Sequence, residues 1–221
     1  MKILLSWSTG KDSAWSLHVL HEQYPGKVAG LLTTINQAFD RVAMHAVRRS
    51  LAQAQAAAAG LPLHAVAIPW PCSNEQYETA MKKAVEEFLR EGYTHVAFGD
   101  LFLEDVRRYR EERLKGTGLM PLFPLWKTKP TVELAREMIA GGLKAYLTCV
   151  DPRKLDRSFA GRAFDAALLN DLPGGIDPCG ENGEFHSFVW DGPMFKCPVN
   201  VSVGDIVERD NFVFADVCAR A

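Results

Sequence analysis

Short unbroken apolar runs alternate along the first hundred residues with longer stretches in which apolar positions recur every three or four residues. Residues 2–6 read as a buried strand, and Asp12 to Tyr24 reads as a helix that Asp12 or Ser13 can cap and Gly26 ends. Val28 to Thr34 is a second strand. The Ala-rich segment from Met44 to Ala59, with Val47, Leu51 and Ala54 on one side, is a second helix closed by Gly60. Leu63 to Ile68 is a third strand. Ser73-Asn74-Glu75-Gln76 then fits a capping box, opening a helix that carries Tyr77, Met81, Ala84 and Phe88 on one face until Gly92. Thr94 to Gly99 is a fourth strand.

These strands are almost continuously apolar, not alternating, which is the pattern of a parallel sheet covered by helices on both faces. The remainder of the chain reads differently. Pro121, Pro124 and Pro130 bracket a connection, Thr131 to Ala140 reads as a helix, Leu143 to Val150 as a strand and Arg162 to Leu172 as a helix. After Gly174-Gly175, Phe185 to Trp190 and the alternating Val199, Val201 and Val203 look antiparallel. The fold class expected is therefore α/β: a parallel sheet flanked by helices over 1–125, followed by a smaller mixed α+β domain over 126–221.

Composition narrows the function classes. The 221 residues are 48% hydrophobic and 24% charged, with net charge -2 and pI near 6.3. That is ordinary globular material, and no general nucleic-acid binding is expected from it. The N-terminal apolar run is too short and too soon followed by Lys11 and Asp12 for a signal peptide, and no apolar run of membrane-spanning length follows. A soluble cytoplasmic protein without membrane association is expected. The five cysteines are widely spaced and never form C-x-x-C, which suits buried thiols in a reducing compartment. Cys179 and His186 could contribute to a zinc site, yet neither has a second ligand at metal-site spacing.

The chemistry concentrates in Ser6 to Ser13, "SWSTGKDS", where the first strand turns into the first helix. In an open parallel sheet this crossover is the favoured phosphate position. The small residues Ser8, Thr9 and Gly10 let backbone N–H groups point inward, the helix start adds partial positive charge, and Lys11 supplies a mobile cation. Each charge-assisted hydrogen bond to a phosphate is worth about 1.5–3 kcal/mol, so a few donors make a firm anchor. A carboxylate at Asp12 would repel a polyphosphate unless a divalent cation stood between them, which suggests Mg2+. A Walker A loop is excluded, because Leu5 and Asp12 stand where it needs glycine and Ser or Thr. A capped helix after a tight turn would explain Gly10 and Asp12 without any ligand.

"STGKDS" resembles the S-G-G-K-D-S pyrophosphate loop of the N-type ATP pyrophosphatases, with Thr9 in place of the first glycine. "GDLFLEDVRRYREE" (99–112), "PLFPLW" and "DPCGENGEFHSFV" (177–189) follow in the order seen in the diphthine-ammonia ligase family, an adenine nucleotide alpha hydrolase family. The resemblance covers nearly the whole chain. It implies an ATP-dependent ligase that adenylates a carboxylate, releases pyrophosphate and forms an amide with ammonia; in the namesake family the carboxylate belongs to diphthine on translation elongation factor 2. An archaeal or bacterial form is implied, since eukaryotic members carry further C-terminal domains.

On this reading the ATP site comprises Ser6, Ser8, Thr9, Gly10, Lys11, Asp12, Ser13 and Gly99, with the adenine at the backbone of Leu31, Leu32 and Thr33. Lys11, Asp12 and Asp100 are the expected catalytic residues, and Asp12 and Asp100 the Mg2+ ligands. Glu104, Asp105, Arg108, Gly180, Glu181, Asn182, Glu184 and His186 are expected at the acceptor, a small molecule or a modified translation factor. Glu184 or His186 would orient ammonia or take its proton. Glu111, Glu112 and Arg113 read as solvated helix charges, His18, His21, His45 and His64 as structural, and Trp70, Leu122, Phe123, Leu125 and Trp126 as packing residues. Two other classes stay open. A tRNA-modifying ATP pyrophosphatase would show a basic face or paired cysteines, and a non-catalytic adenine-nucleotide sensor would use a glycine-rich loop later in the chain. A homodimer through a sheet edge or the Trp126 region is also open.

Overall fold

The computed structural model describes residues 1–42 and 47–220. Ten strands and six helices follow in order: β1 (Ile3–Ser6), α1 (Lys11–Gln23), β2 (Val28–Asn36), β3 (Arg41–Val42), α2 (Arg49–Ala59), β4 (Leu63–Ile68), α3 (Asn74–Arg90), β5 (His95–Ala97), α4 (Glu104–Leu114), β6 (Met120–Leu122), α5 (Thr131–Ala140), β7 (Lys144–Val150), α6 (Ala166–Asp171), β8 (Phe185–Asp191), β9 (Val201–Arg209) and β10 (Phe212–Ala219). Among the described residues no helix is long and apolar enough to cross a membrane.

The first sheet runs β4-β2-β1-β5-β6, all parallel, and the short antiparallel β3 pairs with Ile35 and Asn36 of β2 beyond the end of β1. The chain moves outward from β1 to β2 and β4, then returns to the other side of β1 to lay down β5 and β6. The switch point therefore lies between the carboxyl ends of β1 and β5, where ligands of open α/β sheets bind. The central strand β1 is apolar from Ile3 to Leu5 because both of its faces are covered. Ile3 and Leu5 join a cluster with Leu17 and Leu20 of α1, whereas Leu4 joins one with Ala84 and Phe88 of α3.

The second sheet runs β8-β7-β10-β9, antiparallel throughout. The cluster around α1 continues into it through Leu147, Val150, Phe185 and Val189. Enclosed by both sheets, α1 is buried nearly all round, with Ser13, Ala14 and Ser16 inside along with Leu17.

Three expectations change. α2 begins at Arg49, so the Met44 start and His45 lie outside the described residues. Met120–Leu122, read as a proline-rich connection, is a strand: β6 bonds only to β5, through Met120 N–H to Thr94 and Phe98 N–H to the Leu122 carbonyl, so the missing N–H of Pro121 is needed by no neighbour. The helix expected from Arg162 shrinks to Ala166–Asp171, capped by the Asp165 carboxylate, which accepts the Leu168 N–H at 2.8 Å. Residues 161–164 instead hydrogen-bond along β7, from Gly161 N–H to Leu147 and from Phe164 N–H to Ala145. The capping box of α3 forms as expected, through Gln76 N–H to Ser73 Oγ and Ser73 N–H to Gln76 Oε1.

Candidate active site

The turn from β1 into α1 is held from outside itself. Trp7 N–H donates to the Leu32 carbonyl at 2.6 Å. Thr9 then adopts φ 73°, a left-handed conformation costing a side-chain-bearing residue about 1–2 kcal/mol. Its carbonyl accepts two hydrogen bonds at 3.0 Å, from Gln55 Nε2 on α2 and from Val189 N–H on β8. Gln55 is completely buried and its Oε1 accepts Trp7 Nε1–H at 2.9 Å. Lys11 N–H donates to Ser187 Oγ at 3.1 Å, so β8 props the loop at two points. Gly10 offers α1 no side-chain cap; at the helix start the Gly10 and Lys11 amides donate to Ser8 Oγ at 3.4 Å and to Ser187 Oγ at 3.1 Å.

Beside this loop is a cavity of about 220 Å³. Ser6, Ser8, Gly10, Lys11, Asp12 and Ser13 line it from β1, α1 and the turn between them, Gly99 and Asp100 from beyond the end of β5, Gly180 and Glu181 from the loop before β8, and His186 from the start of β8. Gly99 lets these parts meet: a Cβ there would stand 2.9 Å from the Asp12 carbonyl carbon and 3.1 Å from the Ser13 nitrogen.

Other expected residues lie elsewhere. Glu104, Asp105 and Arg108 are exposed and do not line the cavity; Glu104 pairs with Lys127. Leu32 is flanked by β1 and β4 on its two edges and its carbonyl is taken by Trp7, while Leu31 N–H donates to Pro62, so these backbone groups are spent within the sheet. Thr33 is buried with its hydroxyl unpartnered. Asn182 and Glu184 shape the loop behind the wall: Glu184 Oε1 accepts Asp177 N–H at 3.1 Å and Asn182 Nδ2 at 3.3 Å. Trp70, read as a core or interface packing residue, is 64% exposed and rests against Phe39.

Charge inside the cavity is paired and strongly perturbed. Lys11 Nζ contacts both carboxylate oxygens of Asp12, at 3.0 and 2.8 Å. Burial works against the Lys11 ammonium, but Asp12, Cys179 and Glu181 outweigh it and hold the pKa above its ordinary value. Burial lifts the Asp12 carboxyl above its usual range despite Lys11. Burial also lifts Asp100, against the pull of Arg110. Glu181 accepts Leu101 N–H at 2.8 Å, yet burial and the nearby Asp12 push its pKa up to about 7. His186 moves the other way, down to about 4, through burial and the charge of Lys11. It is therefore neutral and a weak base at physiological pH.

Asp100 Oδ2 is buried without a hydrogen-bond partner. Together with Asp12 it suits a hard divalent cation that takes one or two protein carboxylates and completes its shell with phosphate and water. Among the described residues no three His, Cys, Asp or Glu side chains converge as a ready-made metal cluster, and a Mg2+ held largely by its nucleotide requires none.

Sequence reading gave no site role to Gln55, Ser187, Phe98 and Arg110, and took Cys179 only as a possible zinc ligand. Ser187, Arg110 and Cys179 stand inside the motif blocks and were legible as candidates. Gln55 lies among alanines in a helix and carried no signal; only its burial beside Thr9 reveals it.

The family model for the diphthamide synthase N-terminal domain matches residues 1–121, and that for the diphthamide synthase C-terminal domain matches 130–217. The chain is 31% identical over 154 residues to diphthine--ammonia ligase of Rattus norvegicus, covering 66% of this chain and 56% of that protein. It is 33% identical over 121 residues to the Homo sapiens diphthine--ammonia ligase, covering 52% of this chain and 45% of that protein. The chain thus spans about half the length of these relatives. With both domain models matched in order across its length, the chain belongs to the diphthamide synthase family.

Proposed function

We propose that the protein is an ATP-dependent ligase that adenylates a substrate carboxylate and converts it to an amide with ammonia. The observation that carries this reading is the meeting of the 8–13 loop, Lys11, Asp12 and Asp100 in one cavity at the switch point between β1 and β5. Residues 1–125 form the nucleotide half and 126–221 supply the acceptor loop. A carboxylate oxygen attacks the α-phosphorus, the bond to the bridging oxygen breaks, and pyrophosphate leaves into the loop. Ammonia then attacks the acyl carbon, AMP departs and the nitrogen sheds a proton. Lys11 and the first-turn amides of α1 stabilise charge growing on the pyrophosphate. Bound Mg2+, held by Asp12 and Asp100, would neutralise phosphate charge. Of the loop groups, Glu181, with its pKa near about 7, is matched to accept the proton from nitrogen.

The family relatives are named for diphthine, and a diphthine-like carboxylate on a translation factor is the first acceptor to test. Incubation with ATP, ammonium and candidate carboxylates should yield AMP and pyrophosphate. ATP left intact in every mixture would refute the ligase reading and support a nucleotide sensor. Asp12→Asn is expected to abolish turnover with the fold intact, and full activity in that variant would remove Asp12 from the site.

A further inference from the structure

Besides Lys11, the cavity wall carries one other strong cation among the described residues, the guanidinium of Arg110 on α4. It lies over the Phe98 ring, 4.9 Å from the centroid, and its Nε stands 3.5 Å from Asp100 Oδ2. The contact is a long ion pair at the limit of hydrogen-bonding distance, and neither of the two buried atoms has a closer partner. Lys11, in contrast, closes on both oxygens of Asp12. Leaving two charged buried atoms so weakly paired is costly, so each is poised for a better partner. Arg110 and Phe98 also form the wall between this cavity and a cleft of about 520 Å³ between α3 and α4, which gives the guanidinium room to turn.

We infer that Arg110 is a phosphate-binding residue that exchanges Asp100 for phosphate oxygens when the nucleotide enters with its divalent cation. The inference rests on the nucleotide reading above and adds to it a residue outside the 8–13 loop. A polyphosphate facing Asp12, Asp100 and Glu181 meets three carboxylates and, in Lys11, one cation already engaged. If a divalent cation takes Asp100, the freed guanidinium supplies the missing charge, and its planar fork fits two phosphate oxygens where an ammonium fits one.

The test is calorimetric titration of inorganic pyrophosphate and of ATP into wild type, Arg110→Met and Arg110→Lys, each with MgCl2 and again with EDTA. Methionine keeps apolar contact with Phe98 and removes the charge. In MgCl2, Arg110→Met should bind both ligands about ten- to a hundredfold more weakly, and Arg110→Lys should fall between it and wild type. In EDTA the difference should narrow, because Asp100 keeps its hold on Arg110. Thermal unfolding checks each variant, and Arg110→Lys, which retains the ion pair, carries the comparison should Arg110→Met fail to fold. Wild-type affinity in Arg110→Met, or in Arg110→Lys where that variant carries the comparison, overturns the assignment, as does a loss of equal size with and without Mg2+. If wild type binds neither pyrophosphate nor ATP, the nucleotide reading itself falls and this inference with it.

Discussion

Gln55 is the least conspicuous residue on which the turn from β1 into α1 depends, and Gln55→Leu tests that dependence. The substitution nearly conserves volume, so cavity formation contributes little. What it removes is the acceptor of Trp7 Nε1–H, at 2.9 Å, and the donor to the carbonyls of Thr9 and Val189. Thr9 keeps its second bond, from Val189 N–H, but the Trp7 indole and the Val189 carbonyl both lose Gln55 as a partner. Two stranded buried groups at about 1–3 kcal/mol each give a destabilisation of about 2–6 kcal/mol. At about 2–4 °C per kcal/mol for a chain of this size, the melting temperature should fall by about 5–20 °C. Circular dichroism of the far-ultraviolet signal on heating reads this directly. Pyrophosphate titration below the transition reads a second effect: Thr9, released on one side, can leave its left-handed conformation and misplace the loop amides, so binding should weaken even where the variant is folded. A melting temperature within about one degree of wild type, together with unchanged pyrophosphate affinity, would refute the claim that α2 holds the loop in shape.

Three further outcomes follow from the same geometry. Gly99→Ala should weaken pyrophosphate binding and cost about 1–3 kcal/mol, because the added Cβ meets backbone atoms of Asp12 and Ser13 that cannot swing away; unchanged binding and unfolding would contradict the close approach of β5 to α1. Glu181→Gln should stabilise the ligand-free protein at pH 8 and leave it unchanged near pH 4. The folded-state pKa of Glu181 is raised to about 7, so its favourable contribution is present below the unfolded value and is lost as pH rises through about 7. Melting curves of both proteins across that range decide it, and parallel pH profiles would count against the assignment. Iodoacetamide should alkylate the exposed Cys197 in the native protein and spare Cys149 and Cys179, whose thiols burial pushes up, Cys149 to about 12; peptide mass mapping showing early modification of either buried thiol would contradict this.

The amino-acid sequence by itself determined the parallel architecture and the place of the turn from β1 into α1. Apolar runs such as Ile3-Leu4-Leu5 have no polar face to expose, so they are stable only between two layers of helix. The capping box at Ser73 and the left-handed turn at Gly60 are local chemistry, and local chemistry is legible along a chain. The convergence of Lys11, Asp12, Gly99 and Asp100 on one cavity was legible because strand ends and helix starts meet at the carboxyl edge of a parallel sheet.

Which face of α4 turns inward was decided only in three dimensions. Leu114 is the one buried residue of that helix, so no apolar stripe points Arg110 toward the cavity and Glu104, Asp105 and Arg108 away from it. The strand at Pro121 depended on β6 having a single neighbour, and the pairing of residues 161–164 on the presence of β7. The strained Thr9 persists because Gln55 and Val189, 46 and 180 positions further along, grip its carbonyl. His186 and Glu181 carry ordinary side chains whose protonation is set by burial and by charges from α1 and β5. Solvation and electrostatic energies sum over neighbours in space, and a sequence specifies those neighbours only after the chain has folded.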